Sequence, residues 1–117
     1  MIALALSMIL AQSPQPAPAP VPPQSEGKTL FVRAKCIKCH GEDGKGDTEK
    51  GQELKAPDFT SAAYQKETND QEMTDTILNG SKEHKTLKIL MPPYKSKLTQ
   101  EEVQVLVRYV RSLGPGR

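Results

Sequence analysis

Two cysteines and a histidine stand close together in Cys36-Ile37-Lys38-Cys39-His40, and this segment constrains the chain more than any other. Two thiols three positions apart can each add to a vinyl group on one edge of a porphyrin. The histidine directly after the second cysteine can then coordinate the iron as an axial ligand. The Cys-x-x-Cys-His spacing is that of c-type haem attachment, and it uses both cysteines of the chain. We therefore expect one covalent haem c, attached through Cys36 and Cys39.

The composition fits a small domain built around such a group. The 117 residues include three tyrosines, two phenylalanines and no tryptophan. A domain of about 90 residues is often marginally stable without a metal, a disulfide or a cofactor, and a haem supplies a large apolar centre. The formal net charge is +2, which two ionised haem propionates would cancel. The charge therefore gives no reason to expect a nucleic-acid partner.

The first 25 residues carry no charge and divide into two segments. Within the predicted signal or anchor segment, residues 1–12, positions 1–11 form an apolar run as long as the core of a signal peptide and shorter than the ~20 residues that span a bilayer. We expect an export signal, and the alternative is an N-terminal anchor that tethers the protein to a membrane. Residues 13–25 are a proline-rich linker of the polyproline II type. Residues 26–117 then form one domain outside the cytoplasm, in the periplasm or tethered to the membrane.

Apolar side chains recur with a helical period in several segments. The clearest is the last, because Thr99 and Glu102 form a capping box and Gly114-Pro115 ends it. No segment alternates in the manner of a strand, so we expect an all-α fold, a small helical domain wrapped around one covalently bound haem. The first predicted helix covers residues 26–36. A second, capped by Asn69 or Asp70, runs through Leu78 and ends at Asn79-Gly80, and the last runs from Thr99 to Gly114-Pro115.

A glycine-rich loop, Gly41-Glu42-Asp43-Gly44-Lys45-Gly46-Asp47, follows the haem attachment motif. It is a poor phosphate-binding loop, because no strand precedes it and no Gly-Lys-Ser/Thr follows. It also lacks the ligand spacing of a calcium loop. We expect a tight loop that runs past an edge of the haem.

The order of these elements resembles that of a class I monohaem cytochrome c. A first helix, Cys36 to Gly41, a glycine-rich loop and Met91-Pro92-Pro93-Tyr94 precede an amphipathic last helix. The resemblance covers residues 26–113. It implies that His40 is the proximal ligand of the iron and that Met91 is the distal ligand.

The resemblance implies two further contacts. A proline carbonyl faces the free N–H of the haem histidine in such proteins, and Pro57 is the candidate here. A glycine lets the two terminal helices cross closely, which assigns that place to Gly27, opposite Tyr109 or Val110.

Chemistry supports Met91 as a ligand independently. A thioether is a soft, neutral ligand, and His/Met ligation raises the reduction potential of a haem. The two prolines that follow Met91 stiffen its backbone. The alternative is a methionine buried in the core, which is the role expected for Met73. The second histidine, His84, lies in a polar segment and is expected to be solvated, with ligand exchange at the iron as its alternative role.

An iron with both axial positions filled has no open site for a substrate, so the expected function is one-electron transfer between redox partners, without enzymatic activity. We expect a monomer. Lysines near the haem edge would attract an acidic docking patch of a partner protein, or they merely solvate the domain. These lysines are Lys35, Lys38, Lys45, Lys82, Lys85, Lys88, Lys95 and Lys97.

Three alternatives of other classes remain open. A haem-based sensor or a peroxidase-like protein would have an open or displaceable distal site, although the sequence offers no distal His/Arg pair. A Cys-x-x-Cys dithiol oxidoreductase would need a βαβ pattern, which the sequence lacks. A zinc site would need a fourth ligand, for which only His84 remains among the cysteines and histidines.

Overall fold

The computed structural model describes residues 23–115. The predicted export segment and most of the predicted linker lie outside the described residues. Helices dominate this part of the chain, and the prediction of an all-α fold is confirmed. None of its helices is long and apolar enough to cross a bilayer. The elements are α1 (Pro23–Arg33), α2 (Ile37–His40), α3 (Glu49–Glu53), α4 (Ala62–Glu67), α5 (Asp70–Asn79), β1 (Ser81–Lys82), β2 (Ile89–Met91) and α6 (Gln100–Ser112).

Helix α1 is shifted towards the N-terminus relative to the predicted 26–36. It begins at Pro23 and takes in the last three residues of the predicted linker. Proline is tolerated in the first turn, because the N–H that it lacks would have no partner there. The helix ends at Arg33, since Lys35 has a φ of 64° and leaves the right-handed helical region.

Helices α5 and α6 agree with the sequence prediction. The Asn69 side chain accepts a hydrogen bond from the N–H of Glu72 at 2.8 Å, and α5 ends at Gly80, whose φ is 73°. Thr99 and Glu102 form the reciprocal capping box of α6. Local side-chain chemistry therefore sets both ends of α5 and the start of α6.

The prediction that no strand occurs was wrong. Strands β1 and β2 form an antiparallel hairpin in which Ser81 pairs with Met91 and Lys82 with Ile89. Strands of two and three residues are too short for alternation to be visible in the sequence. For the same reason the periodicity missed the short helices α2, α3 and α4.

The core lies where α1 crosses α6. Phe31 of α1 meets Tyr109 of α6 with ring centroids 5.2 Å apart and planes inclined by 57°, an arrangement that aromatic pairs favour. Gly27 lies at the crossing, because a Cβ there would collide with the Tyr109 side chain. The expected glycine contact is confirmed, with Tyr109 as the partner. The buried residues of α6 are Val103, Val105, Leu106, Val107, Tyr109 and Val110.

We predict that Gly27→Val destabilises the domain by about 2 kcal/mol, because overpacking a tight contact typically costs ~1–3 kcal/mol. The Val side chain would push α1 away from α6. Urea unfolding of the purified protein measures the loss. Lys28→Val is the matched control, since it introduces the same β-branched side chain at an exposed position of the same helix. Equal free energies of unfolding for the two variants would contradict the prediction.

A hydrogen-bond network fastens the end of α6 to the segment before α5. The guanidinium of Arg111, whose side chain is only 15% exposed, donates to Asp70 at 2.7 Å and to the carbonyls of Gln65 and Thr68, both at 2.6 Å. The side-chain amide of Gln65 in turn donates to the Phe59 carbonyl at 2.8 Å. These bonds fix the backbone at Phe59, which matters for the site described below.

Candidate functional site

One cavity of the described structure gathers all four predicted site residues, Cys36, Cys39, His40 and Met91. Its empty volume is about 1020 Å³ when the open mouth is included. The other walls are mainly apolar, and helices α1, α5 and α6 contribute to them. The apolar wall residues include Phe31, Phe59, Met73, Ile77, Leu90, Leu106 and Val110.

A single helical turn places the attachment motif. Cys36 precedes α2, and its carbonyl accepts a hydrogen bond from the N–H of His40 at 2.9 Å. The N–H of Cys36 donates to the Phe31 carbonyl at 3.0 Å, which joins the turn to α1. Residues three and four apart lie on one face of a helix. Cys36, Cys39 and His40 therefore face the cavity together.

The Thr48 side chain hydrogen-bonds to carbonyl groups at the end of this turn. Its hydroxyl lies 2.8 Å from the Lys38 carbonyl and 2.9 Å from the Cys39 carbonyl, and it accepts a bond from the N–H of Gly51 at 2.9 Å. A Cβ at Gly51 would collide with the Cys39 carbonyl. Helix α3 can therefore approach the motif only because residue 51 has no side chain. Neither residue was predicted, although a Thr at position 48 followed by the acidic Glu49 is typical of a helix start.

The glycine-rich loop lies behind His40 and not along the cavity. Gly41, Gly44 and Gly46 have φ values of 78°, 78° and 68°, which other residues rarely adopt. The N–H of Gly46 donates to the His40 carbonyl at 2.8 Å, and the N–H of Phe59 donates to the Gly44 carbonyl at 2.8 Å. None of residues 41–47 lines the cavity. The loop is not part of the cavity wall, and its expected course along an edge of the haem stays a prediction.

His40 is buried, with 8% of its surface exposed. Its ring stacks on that of Phe59, with centroids 4.5 Å apart and planes inclined by 21°. Burial lowers the pKa of His40 to about 4, so the imidazole is neutral at physiological pH. Its Nδ1 atom is buried without a hydrogen-bond partner. A neutral, buried imidazole can donate the lone pair of a ring nitrogen to a metal ion.

The expected contact between the Pro57 carbonyl and the imidazole is not formed in this structure. Pro57 lines the cavity, but Nδ1 of His40 has no hydrogen-bond partner among the described residues. The ring is positioned by stacking on Phe59 instead. Sequence analysis gave Phe59 no role, although it is one of only two phenylalanines and stands two residues after Pro57.

The two cysteines are partly buried thiols and form no disulfide. Burial raises the pKa of Cys36 to about 11, and the neighbouring Cys39 adds to the rise. Dithiol oxidoreductases depend on the opposite shift, since a lowered pKa supplies their reactive thiolate. Across residues 23–115, no three His, Cys, Asp or Glu side chains come together as a metal site. The raised pKa of Cys36 argues against a reactive dithiol.

Contacts on both sides fix the backbone at Met91. A Cβ at Gly80 would collide with the Met91 carbonyl, so the chain passes over the end of α5 only because that residue is glycine. The N–H of Tyr94 then donates to the Ile77 carbonyl at 2.9 Å, and that of Lys95 to the Leu78 carbonyl at 3.1 Å. The methionine is thus held at the cavity wall by α5 and by the two prolines.

The other methionine and the other histidine differ in their surroundings. Met73 is 4% exposed and belongs to the core, as expected, although its side chain also reaches the cavity wall. His84 is exposed and does not line the cavity.

All eight lysines that the sequence singled out are exposed. Of these, Lys35 also lines the cavity, together with Lys55, which sequence analysis missed. Lys88 lies 4.0 Å from Glu53 of α3, and the side chains of both are more than half exposed. An exposed pair of this kind adds little stability.

Comparison with known proteins identifies the family. The family model described as Cytochrome c matches residues 24–114. The subunit FixP of the cbb3-type cytochrome c oxidase of Bradyrhizobium diazoefficiens is 29% identical over 93 residues, which cover 80% of this chain and 28% of that protein. The corresponding subunit CcoP of Cereibacter sphaeroides is 30% identical over 92 residues, covering 79% and 28%. The chain therefore spans about 28% of the length of these relatives.

Similarity to solved structures supports the same family. The KustC0563 c-type cytochrome has a TM-score of 0.66 and 38% sequence identity, covering 75% of this chain and 96% of that one. Cytochrome CL of Methylophaga aminisulfidivorans has a TM-score of 0.55 and 27% identity, covering 77% and 52%. The chain therefore belongs to the cytochrome c family, whose covalently bound haem c serves in electron transfer.

Proposed function

We propose that the protein is a monohaem, one-electron carrier in which Cys36 and Cys39 attach the haem and His40 and Met91 are the axial ligands. The observation that supports this most directly is the single apolar cavity that these four residues share. When bound, the haem supplies an iron centre that alternates between the ferric and ferrous states. The buried, neutral imidazole of His40 and the partly buried thiols are groups that such a cofactor needs.

Each residue then has a defined task. His40, kept neutral by burial, donates a nitrogen lone pair to the iron. Met91, fixed by Gly80 and the following prolines, supplies a thioether that favours the ferrous state. If His40 and Met91 both held the iron, no position would be left for a substrate, which favours a carrier over an enzyme. The apolar walls would pack against the faces of a bound haem.

The proposed partners are redox proteins that donate and accept single electrons. The similarity to subunits named as parts of cbb3-type cytochrome c oxidases supports a place next to such a complex. We further propose that residues 1–12 direct export or anchor the chain and that residues 13–25 connect them to the domain. Covalent haem attachment outside the cytoplasm fits that arrangement.

The test is a visible spectrum of the full chain, expressed with haem maturation machinery and compared in oxidised and reduced forms. We expect a c-type spectrum, a far-red ferric charge-transfer band from methionine ligation, and no change when CO is added to the reduced protein. A c-type spectrum without that band that shifts with CO would instead support the haem-based sensor or peroxidase-like alternative. Absence of covalent haem would overturn the proposal altogether.

A further inference from the structure

The buried ring of Phe59 contacts two other rings at the proposed haem site. It stacks on the His40 imidazole, with centroids 4.5 Å apart and planes inclined by 21°, and it packs against Tyr64 of α4 with centroids 5.2 Å apart. A second aromatic neighbour of His40, Phe31, is more distant at 6.1 Å and is inclined by 44°. Phe59 is the nearer of the two rings, so its position limits how the imidazole can turn.

Hydrogen bonds at both of its backbone polar groups hold Phe59 in place. Its N–H donates to the Gly44 carbonyl at 2.8 Å, and its carbonyl accepts from the side-chain amide of Gln65, also at 2.8 Å. Both bonds have near-ideal lengths, so the Phe59 backbone cannot shift without breaking one of them. Only the second bond is made by a side chain, and a substitution at Gln65 can therefore remove it.

The Gln65 side chain is itself held on several sides. Its Nε2 atom donates to the Phe59 carbonyl and, at 2.9 Å, to the Val110 carbonyl of α6. Its Oε1 atom accepts from the Arg111 guanidinium at 3.0 Å. A Cβ at Gly114 would collide with the Gln65 side chain, so the chain after α6 also encloses it. A half-buried amide bonded at both nitrogen and oxygen has little freedom to move, and Gln65 thus links α6 to the Phe59 backbone.

The orientation of a metal-bound imidazole is commonly fixed by a hydrogen bond to its second nitrogen. Among the described residues Nδ1 of His40 has no such partner, so the ring is oriented by packing against Phe59. We propose that Gln65 is a positioning residue for the redox centre, one that sets the orientation of the His40 ring through Phe59. This inference rests on the carrier function proposed above, in which His40 is an axial ligand of the iron.

This role differs from a contribution to stability alone. The electronic structure of a low-spin ferric haem depends on the direction of the imidazole plane, because the π system of the ring overlaps with one iron d orbital more than with the others. Contacts outside the ligands tune a metal centre in this manner. A residue that only stabilised the fold would change the free energy of unfolding and leave the electronic structure of the iron unchanged. A spectroscopic measurement on the folded protein therefore separates the two roles.

The test is proton NMR of the oxidised, haem-loaded full chain, in which the resonances of the haem methyl groups shift with the direction of the imidazole plane. Gln65→Glu keeps the size of the side chain and an oxygen for Arg111, but it has no N–H to donate to the Phe59 carbonyl. Gln65→Met removes the same donors without adding a charge that a half-buried site disfavours. Both variants are expected to shift the methyl resonances. Phe59→Leu, which removes the stacked ring, is expected to shift them as well, and adding Gln65→Met to it should cause no further shift.

Matched controls make the same substitutions at an exposed glutamine of α6. The Gln104 amide donates to the Thr74 hydroxyl at 3.2 Å, and Gln104 does not line the cavity. Gln104→Glu and Gln104→Met are expected to keep the methyl resonances of the parent protein. Gln65 variants that match these controls would overturn the inference, and so would a further shift when Gln65→Met is added to Phe59→Leu. A parent protein whose visible spectrum shows no covalent haem would instead overturn the carrier function, and the two failures are therefore distinguishable.

Discussion

Replacing both Cys36 and Cys39 by serine is expected to remove covalent haem and, with it, most of the helical structure. The part of the cavity that the centre of a water molecule can reach has a volume of about 160 Å³. An unfilled apolar cavity destabilises a protein by roughly 24 cal/mol per Å³. The loss is therefore on the order of 4 kcal/mol, a large share of the ~5–15 kcal/mol that stabilises a typical domain. Far-UV circular dichroism and haem staining after denaturing electrophoresis measure the two effects.

Lys38→Ala is the matched control for the cysteine variant. It changes an exposed residue between the two cysteines and leaves both thiols in place. It is expected to retain haem and helical content. A double serine variant that stays helical and unfolds cooperatively without haem would show that the apolar core of α1 and α6 suffices for folding, against this prediction.

The second large effect is expected for Met91→Ala. The haem should remain attached, since both thiols and His40 are untouched, but the iron should now bind CO in the reduced protein. The reduction potential should fall on the order of 0.1 V, within the ~0.8 V range over which axial ligands set haem potentials. Loss of the far-red charge-transfer band and a potentiometric titration measure these changes.

The Met73→Leu variant tests which methionine is the distal ligand. The test is needed because the side chains of both Met73 and Met91 reach the cavity wall. Leucine conserves the apolar character and nearly the volume of the side chain, so the fold should tolerate it. The charge-transfer band and the potential should be unchanged. If the band disappeared in Met73→Leu and persisted in Met91→Ala, the distal ligand would have been assigned to the wrong methionine.

The sequence predicted the parts of the structure that depend on neighbouring residues. The capping box of Thr99 and Glu102 and the Asn79-Gly80 turn are local, and the structure has both. The glycine at the helix crossing came from resemblance, and Tyr109 was one of two partners named for it. The same resemblance implied that Cys36 and Met91 meet at one cavity. The helical periodicity of the sequence did not predict this contact.

Features that depend on contacts between distant segments could not be predicted from the sequence. The stacking of Phe59 on His40 depends on Gln65 and Arg111, which fix the Phe59 backbone from α4 and α6. Nothing in the local sequence marks Arg111 as more than a charge near a helix end. The hairpin was not predicted, because its turn is held by backbone hydrogen bonds, including one to the Lys88 carbonyl. Such bonds leave no alternation of apolar and polar residues in the sequence.

The crossing of α1 and α6 has a consequence for the order of events during biogenesis. Helix α1 buries Leu30 and Phe31 against a helix that lies near the opposite end of the described chain. Contacts between such distant segments can form only after the intervening chain has been made and brought together. Until then the core that packs against Cys36 is not formed. The topology thus creates an interval in which a covalent modification can reach this motif before the domain encloses it.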